Sequence, residues 1–431
     1  MDIDLLCGEK HISLNVPDTS IVLNPTTALA MANPTLAIEQ AIEQPIGTAP
    51  LSKLAVGKKD ACIVISDITR PVPNQILLPP ILKTLETAGI PREKITILIA
   101  TGMHRPNVGK ELESMVGAQI MENYTIINHF CRKEEDMRLV DTIDGAPIEI
   151  NKHYLDADLK ILTGLIEPHM YAGYSGGRKS ILPGISSFTT MTHMHSFKMI
   201  DHPEVTNCRL DGNPFHEAGE KVAQLAGVDF IANVVINKAR QMVGIFAGHH
   251  TQAHQAGCNL VKELSSRKVE ESVDLVVTSA GGYPLDATFY QVSKGLIAAR
   301  NIVKKGGTII VACECREGLG SEEYTKMILE GNTPEKFFKS YSDPDHFVID
   351  QWCLQTTYQA LDHAGKIYAY SPYLSETDLS AMGMIKIDDI QTAIDMLLPN
   401  HPKVAVAPEG PYVVGLLEQY NVAQMESKKQ G

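Results

Sequence analysis

Ala61-Cys62-Ile63-Val64-Ile65-Ser66 is a short apolar run that ends in a loop, Asp67 to Pro73, and is followed by a helix-like stretch from Asn74 to Ala88. Gly89-Ile90-Pro91 breaks that helix, and Ile95 to Ala100 (ITILIA) is a second apolar run. Short, continuously apolar segments separated by a helical period read as strands of a parallel sheet covered on both faces. Working outward, Leu159 to Ile166, Phe230 to Ile236 and Gln241 to Ala247 continue the pattern. A second series then runs through Val273 to Ser279, Thr308 to Glu314, Lys366 to Ser371 and Lys403 to Ala407. The charged stretch Lys262 to Glu271 lies between the two series and reads as a junction. The expected fold class is α/β: two α/β domains with largely parallel sheets and an active site in the interdomain cleft. The expected domains are 1–268, carrying the catalytic loops, and 269–431, closing the site.

The 431 residues carry 38 Lys and Arg against 51 Asp and Glu, a net charge of −13, with 44% hydrophobic and 21% charged residues. That is ordinary globular composition, which excludes a disordered or fibrous chain. An acidic chain without a basic stripe also argues against nucleic-acid binding, which needs clustered cations. No apolar run approaches a membrane span, and the start, MDIDLLCGEK, lacks the layout of a signal peptide. The eight cysteines have no zinc-site spacing and read as reduced, buried thiols, Cys313 and Cys315 included. A cytoplasmic protein is expected.

In parallel sheets, ligands collect at the carboxyl ends of strands, so the loops there carry the candidates. After ACIVIS comes Ser66-Asp67-Ile68-Thr69-Arg70-Pro71. Asp67 or Thr69 could cap a helix, and the Arg70 fork could hold a carboxylate or phosphate. After ITILIA comes Thr101-Gly102-Met103-His104-Arg105-Pro106, where His104 has a reference pKa suited to general base work. The densest segment runs from Ile166 to Ser180, IEPHMYAGYSGGRKS. Its Gly176 and Gly177 let backbone N–H groups approach an anion, and Arg178 and Lys179 add charge. Arg178 stands where a Walker motif needs lysine directly after glycine, which argues against an ordinary P-loop ATPase. His193 and His195 follow as possible metal ligands. In the second series, Gln291 and Lys294 are three apart and would share one helical face. Residues alone indicate a cationic, histidine-rich site for a small organic acid, and they leave the reaction open.

Together these motifs resemble the lactate racemase family of nickel-pincer-nucleotide 2-hydroxyacid racemases and epimerases. The resemblance runs from SDITRPVP through TGMHRP, IEPHMYAGYSGGRKSILPG, GGYPLD and YQVSKG to Asp350-Gln351-Trp352. It implies a pyridinium-3,5-bisthiocarboxylic acid mononucleotide nickel cofactor, covalently linked to Lys179. It places the nickel-ligating histidine sixteen residues later, at His195, and the two acid/base histidines at His104 and His169. It assigns cofactor binding to Asp67, Arg70, Gly176, Gly177 and Arg178, and substrate orientation to Arg70, Tyr290, Gln291 and Lys294. It further implies transient hydride transfer from C2 of the hydroxyacid, a ketoacid that reorients, and enzymes that synthesise the cofactor as partners.

Lactate is the first expectation for the substrate. The same chemistry on malate, 2-hydroxyglutarate or a sugar acid epimerised at C2 stands as the alternative. A non-catalytic nickel- or organic-acid-binding protein is a further alternative, without a DNA-binding motif to transmit a signal. The sequence leaves the oligomeric state open, with a homodimer as one option.

Overall fold

The apolar runs become the central strands of two sheets. In the computed structural model, which describes residues 1–331, 333–343 and 346–418, the chain forms two units. One comprises Thr27–His195 and Arg209–Leu264; the other comprises Met1–Thr26, Ser196–Cys208 and the described residues from Ser265 onward.

The first unit is built on a six-stranded sheet. Its order is Met242–Gly248, Phe230–Ile236, Leu159–Leu165, Ala61–Ser66, Ile95–Ala100 and Thr125–Asn128. All neighbours are parallel except Met242–Gly248, which pairs antiparallel with Phe230–Ile236. Ile63, Ile65, Ile97, Ile99 and Ile161 are fully enclosed and meet Leu77, Leu78, Ile81 and Leu85 of the helix Asn74–Thr87. Each such side chain contributes about 1.5–3 kcal/mol through burial. Chain order reverses between Ala61–Ser66 and Leu159–Leu165. The loops leaving these two strands diverge there, at the switch point where doubly wound sheets bind ligands.

The second unit repeats the theme in a fully parallel sheet. Its order is Ile385–Ile387, Lys366–Tyr370, Val303–Ala312, Val273–Ser279, Val404–Ala407 and Ile21–Val22. The sixth strand comes from the start of the chain: Ile21–Val22 adds to the edge of Val404–Ala407. An antiparallel hairpin, Asp2–Cys7 with Lys10–Asn15, packs beside it, and its Gly8 N–H donates to Asp286 Oδ2 at 2.7 Å. Residues 196–208 join this unit too, with Gln355 Nε2 donating to the Phe197 carbonyl at 3.0 Å. Thus the first 26 residues and a short internal segment pack with the later series, whereas sequence pattern alone assigns them to the earlier one. Among the described residues no helix is long and apolar enough to cross a membrane, and no two cysteines form a disulfide.

Candidate active site

The switch point of the first unit gathers most of the candidate residues. Asp67 and Arg70 leave the strand Ala61–Ser66, His104 follows Ile95–Ala100, and Glu167 and His169 follow Leu159–Leu165.

Asp67 does not cap a helix. The helix Asn74–Thr87 starts at Pro73 without a side-chain cap, and the Asp67 carboxylate is spent locally. Its Oδ2 lies 2.6 Å from His104 Nδ1, and its Oδ1 accepts from the Thr69 hydroxyl at 2.6 Å and the Thr69 N–H at 3.2 Å. Both carboxylate oxygens thus have partners, in His104 and Thr69. Burial alone would raise the Asp67 carboxyl. The bond to and charge of His104, the Thr69 hydroxyl and the Arg70 charge outweigh it and hold the group below its usual range. An ionised Asp67 places the imidazole proton on Nδ1, so the lone pair of neutral His104 sits on Nε2, where a general base needs it. The ring itself is 60% exposed, open to a substrate.

Asn107 holds the two loops of this pair in register. Its Oδ1 accepts from Ile68 N–H at 3.3 Å, and it exchanges bonds with Asn128, N–H to Oδ1 at 2.8 Å and Nδ2 to the Asn107 carbonyl at 3.0 Å. Replacing Asp67 by Asn is expected to lower kcat/KM by about 10²–10⁴-fold with little change in melting temperature. An amide N–H₂ facing Nδ1 moves the ring proton to Nε2 and removes the base. Steady-state rates of the purified variant check this, and a loss below threefold would contradict it.

His169 presents the opposite tautomer. Its Nδ1 accepts the N–H groups of Tyr171 at 3.1 Å and Ala172 at 3.2 Å, so the proton of the neutral ring lies on Nε2. The two rings are therefore inequivalent at rest, one an acceptor and the other a donor at Nε2. Protonating His169 fully costs both backbone bonds or requires the ring to turn over.

Arg70 Nε and Glu167 Oε1 are 3.3 Å apart, an ion pair across the switch point. At 29% and 37% exposure it contributes about 0–1 kcal/mol. Glu167 is fixed through its backbone: its N–H donates to Ser175 Oγ and its carbonyl accepts from Ser175 N–H, both at 3.0 Å.

The glycine-rich loop is packed against protein more than it is open to an anion. Gly176 and Gly177 have φ of +77° and +52°; a Cβ on Gly176 would stand 2.6 Å from Asn233 Oδ1, and one on Gly177 2.9 Å from the His254 ring. Gly177 N–H donates to Asn233 Oδ1 at 2.6 Å. Arg178 is the clearest departure from expectation. It is 1% exposed, and its guanidinium donates to the carbonyls of Gly176 at 3.3 Å and Ala172 at 2.7 Å, with His254 Nε2 3.0 Å away. These bonds brace the loop.

Lys179, half-buried, points Nζ over the Phe215 ring at 5.5 Å from the centroid. His195, which ends the helix Phe188–Met194, meets the same ring edge-on at 5.5 Å and Tyr171 at 6.1 Å. Tyr171 in turn lies 5.9 Å from His169. His195 Nδ1–H donates to the Met191 carbonyl at 2.9 Å, which leaves the lone pair on Nε2. Burial pushes this ring down to about 4; the Met191 bond opposes that and the Lys179 charge adds to it. A neutral imidazole with its proton fixed by a carbonyl has the form of a metal ligand. Among the described residues no three His, Cys, Asp or Glu side chains are grouped to hold a metal on their own. A nickel ion at His195 would therefore draw its other donors from the organic part of a cofactor. The residues fit such a group, with Lys179 and His195 sharing one aromatic wall.

Contacts link His104, Asp67, Arg70 and Glu167 in one series and His169, Tyr171, His195, Phe215 and Lys179 in another, with Glu167 and His169 two residues apart in sequence. The remaining candidates belong to the other unit. Tyr290 and Gln291 lie in the 3₁₀ turn Phe289–Val292, and Lys294 begins the helix Ser293–Arg300. Trp352 Nε1 donates to the Tyr290 hydroxyl at 3.1 Å, and Tyr324 meets the Tyr290 ring edge-on at 5.4 Å. Gln291 and Lys294 are half-buried, so neither is a solvated surface group.

Sequence reasoning missed Glu167, Phe215, Asn233 and His254 as parts of this site. Only Glu167 had a legible signal, its place directly before Pro168-His169; the others come from distant segments.

The chain is similar to known proteins along most of its length. Residues 7–207 match the family described as lactate racemase N-terminal domain, and residues 269–414 the lactate racemase C-terminal domain. The lactate racemase of Thermoanaerobacterium thermosaccharolyticum is 35% identical over 423 residues, covering 96% of this chain and 99% of that protein. That of Lactiplantibacillus plantarum is 35% identical over 379 residues, covering 86% and 89%. The solved lactate racemase apoprotein from Thermoanaerobacterium thermosaccharolyticum superposes with a TM-score of 0.90 at 34% identity, covering 96% of this chain and 100% of that one. A Thermotoga maritima structure at 18% identity and a TM-score of 0.63, covering 91% and 100%, shares the fold.

Proposed function

The chain belongs to the lactate racemase family, and from that membership and the site geometry we propose that it interconverts D- and L-lactate with the help of a nickel-pincer nucleotide. It is an isomerase, of a family that needs a nickel cofactor. The observation that best supports the proposal is the arrival of His104 and His169 on separate loops after strands of one sheet, with unlike tautomers.

Inverting C2 by removing its proton would leave a carbanion beside a carboxylate. Passing through a planar ketoacid avoids that state. When bound, the nickel-pincer nucleotide supplies a reversible acceptor for the hydrogen and electron pair that leave C2. Lys179 would carry it covalently, and His195 would ligate its nickel through Nε2. Arg70 would hold the substrate carboxylate through its planar fork. His104 Nε2 takes the hydroxyl proton, with Asp67 stabilising the imidazolium. His169 would serve the opposite face, where as an imidazolium it would return the proton to the hydroxyl oxygen and be left neutral. Tyr290, Gln291 and Lys294 would orient the substrate, the role the family resemblance implies for them. The cofactor is made elsewhere, so cofactor-synthesis enzymes are required partners, and a cytoplasmic setting suits the reduced thiols.

Holo-protein incubated with L-lactate should produce D-lactate, followed with a stereospecific dehydrogenase, until the two enantiomers are equal. No conversion of lactate alongside rapid conversion of another 2-hydroxyacid would overturn the substrate and keep the chemistry. No conversion across a panel of 2-hydroxyacids would overturn both.

A further inference from the structure

Glu167 has no part in the chemistry above, although its ion pair with Arg70 lies at the switch point of the sheet. Glu167 Oε1 sits 3.3 Å from Arg70 Nε, and both side chains are partly exposed. Among the described residues the Arg70 guanidinium makes one further hydrogen bond, from Nη1 to the Thr69 carbonyl at a long 3.4 Å. Glu167 is held by its backbone through Ser175, which leaves its side chain to swing while its Cα stays two residues from His169. Partly exposed ion pairs contribute little to stability, so an incoming carboxylate can take the place of Glu167 on Arg70. That carboxylate offers the same charge in the planar form that suits a guanidinium. Glu167 is then displaced and remains in the site as an unneutralised anion.

The other cations at this edge of the sheet are committed. Arg178 is enclosed behind the glycine loop, and Lys179 is assigned to the cofactor. A substrate bearing a second carboxylate would bring it beside the displaced Glu167. Like charges at close range are repulsive, and such repulsion is how a site rejects a competitor.

We infer that Glu167 is a specificity-determining residue that occupies Arg70 in the empty site and, once displaced, selects 2-hydroxyacids with one carboxylate over those with two. The inference rests on the proposed function, in which Arg70 takes the substrate carboxylate.

The test uses the holoenzyme and a matched pair of achiral inhibitors of lactate turnover: glycolate, with one carboxylate, and tartronate, with two. In the wild type, tartronate is expected to inhibit at least tenfold more weakly than glycolate, and equal inhibition would overturn the inference without any variant. Glu167→Gln is expected to lower KM for lactate about threefold or more, because Arg70 is released, and to close most of the gap between the inhibitors. Glu167→Asp, which keeps the charge, should keep most of the gap. A gap unchanged within twofold in Glu167→Gln, or lost equally in both variants, would assign Glu167 a structural role and overturn the inference. Lactate turnover by the wild type reports on the function separately, so the two readings fail independently.

Discussion

Replacing His104 or His169 by alanine is expected to lower racemisation by about 10²–10⁴-fold in both directions. The reason lies in the rings' surroundings. His104 is prepared as an acceptor by Asp67, whose ionised carboxylate keeps the proton on Nδ1. His169 Nδ1 accepts two backbone N–H groups, which places the proton of the neutral ring on Nε2, the opposite tautomer. Each direction of turnover needs a proton taken on one side of the substrate and returned on the other, so neither ring can replace its partner. Progress curves started separately from D- and L-lactate measure the effect. Near-normal turnover in both directions by either single variant would show that one base suffices. Equal loss of kcat/KM in the two directions is required, because the equilibrium between enantiomers is fixed at unity and an enzyme cannot alter it.

Lys179→Arg is expected to abolish cofactor retention and with it all activity above background. Arginine keeps the charge and much of the length, and it can stack on Phe215 as Lys179 does. It lacks an amine able to form the covalent link. The loop's shape rests on other residues, Gly176, Gly177 and Arg178 with their bonds to Asn233, Ala172 and His254, so the variant should melt near the wild type. Nickel content and turnover after desalting provide the readout. An active Lys179→Arg enzyme that keeps its nickel would show that the cofactor is held some other way.

The legible parts of this chain are those whose physics is local. Ala61–Ser66, Ile95–Ala100 and Phe230–Ile236 are covered on both faces, so burial writes them as unbroken apolar runs. The hairpin Asp2–Cys7 with Lys10–Asn15 is half-exposed, and its mixed pattern conceals it. Ile21–Val22 and residues 196–208 join the later unit through pairing with strands and helices far along the chain, which no window of sequence contains. The site divides in the same way. His104, His169, Lys179 and His195 were marked by motif and spacing, while the use of Asp67 depends on a partner 37 residues away. Arg178 reads as a charge beside Lys179 at an anion-binding loop. Its burial follows from carbonyls and a histidine, His254, that only the folded loop brings around it.

The central claim is that catalysis depends on a nickel-bearing group carried by Lys179. Intact-mass and metal analysis of an active, desalted sample tests it most directly. The account predicts about one nickel per chain and a mass increment that peptide mapping places on Lys179. An active sample with neither nickel nor an increment would contradict it.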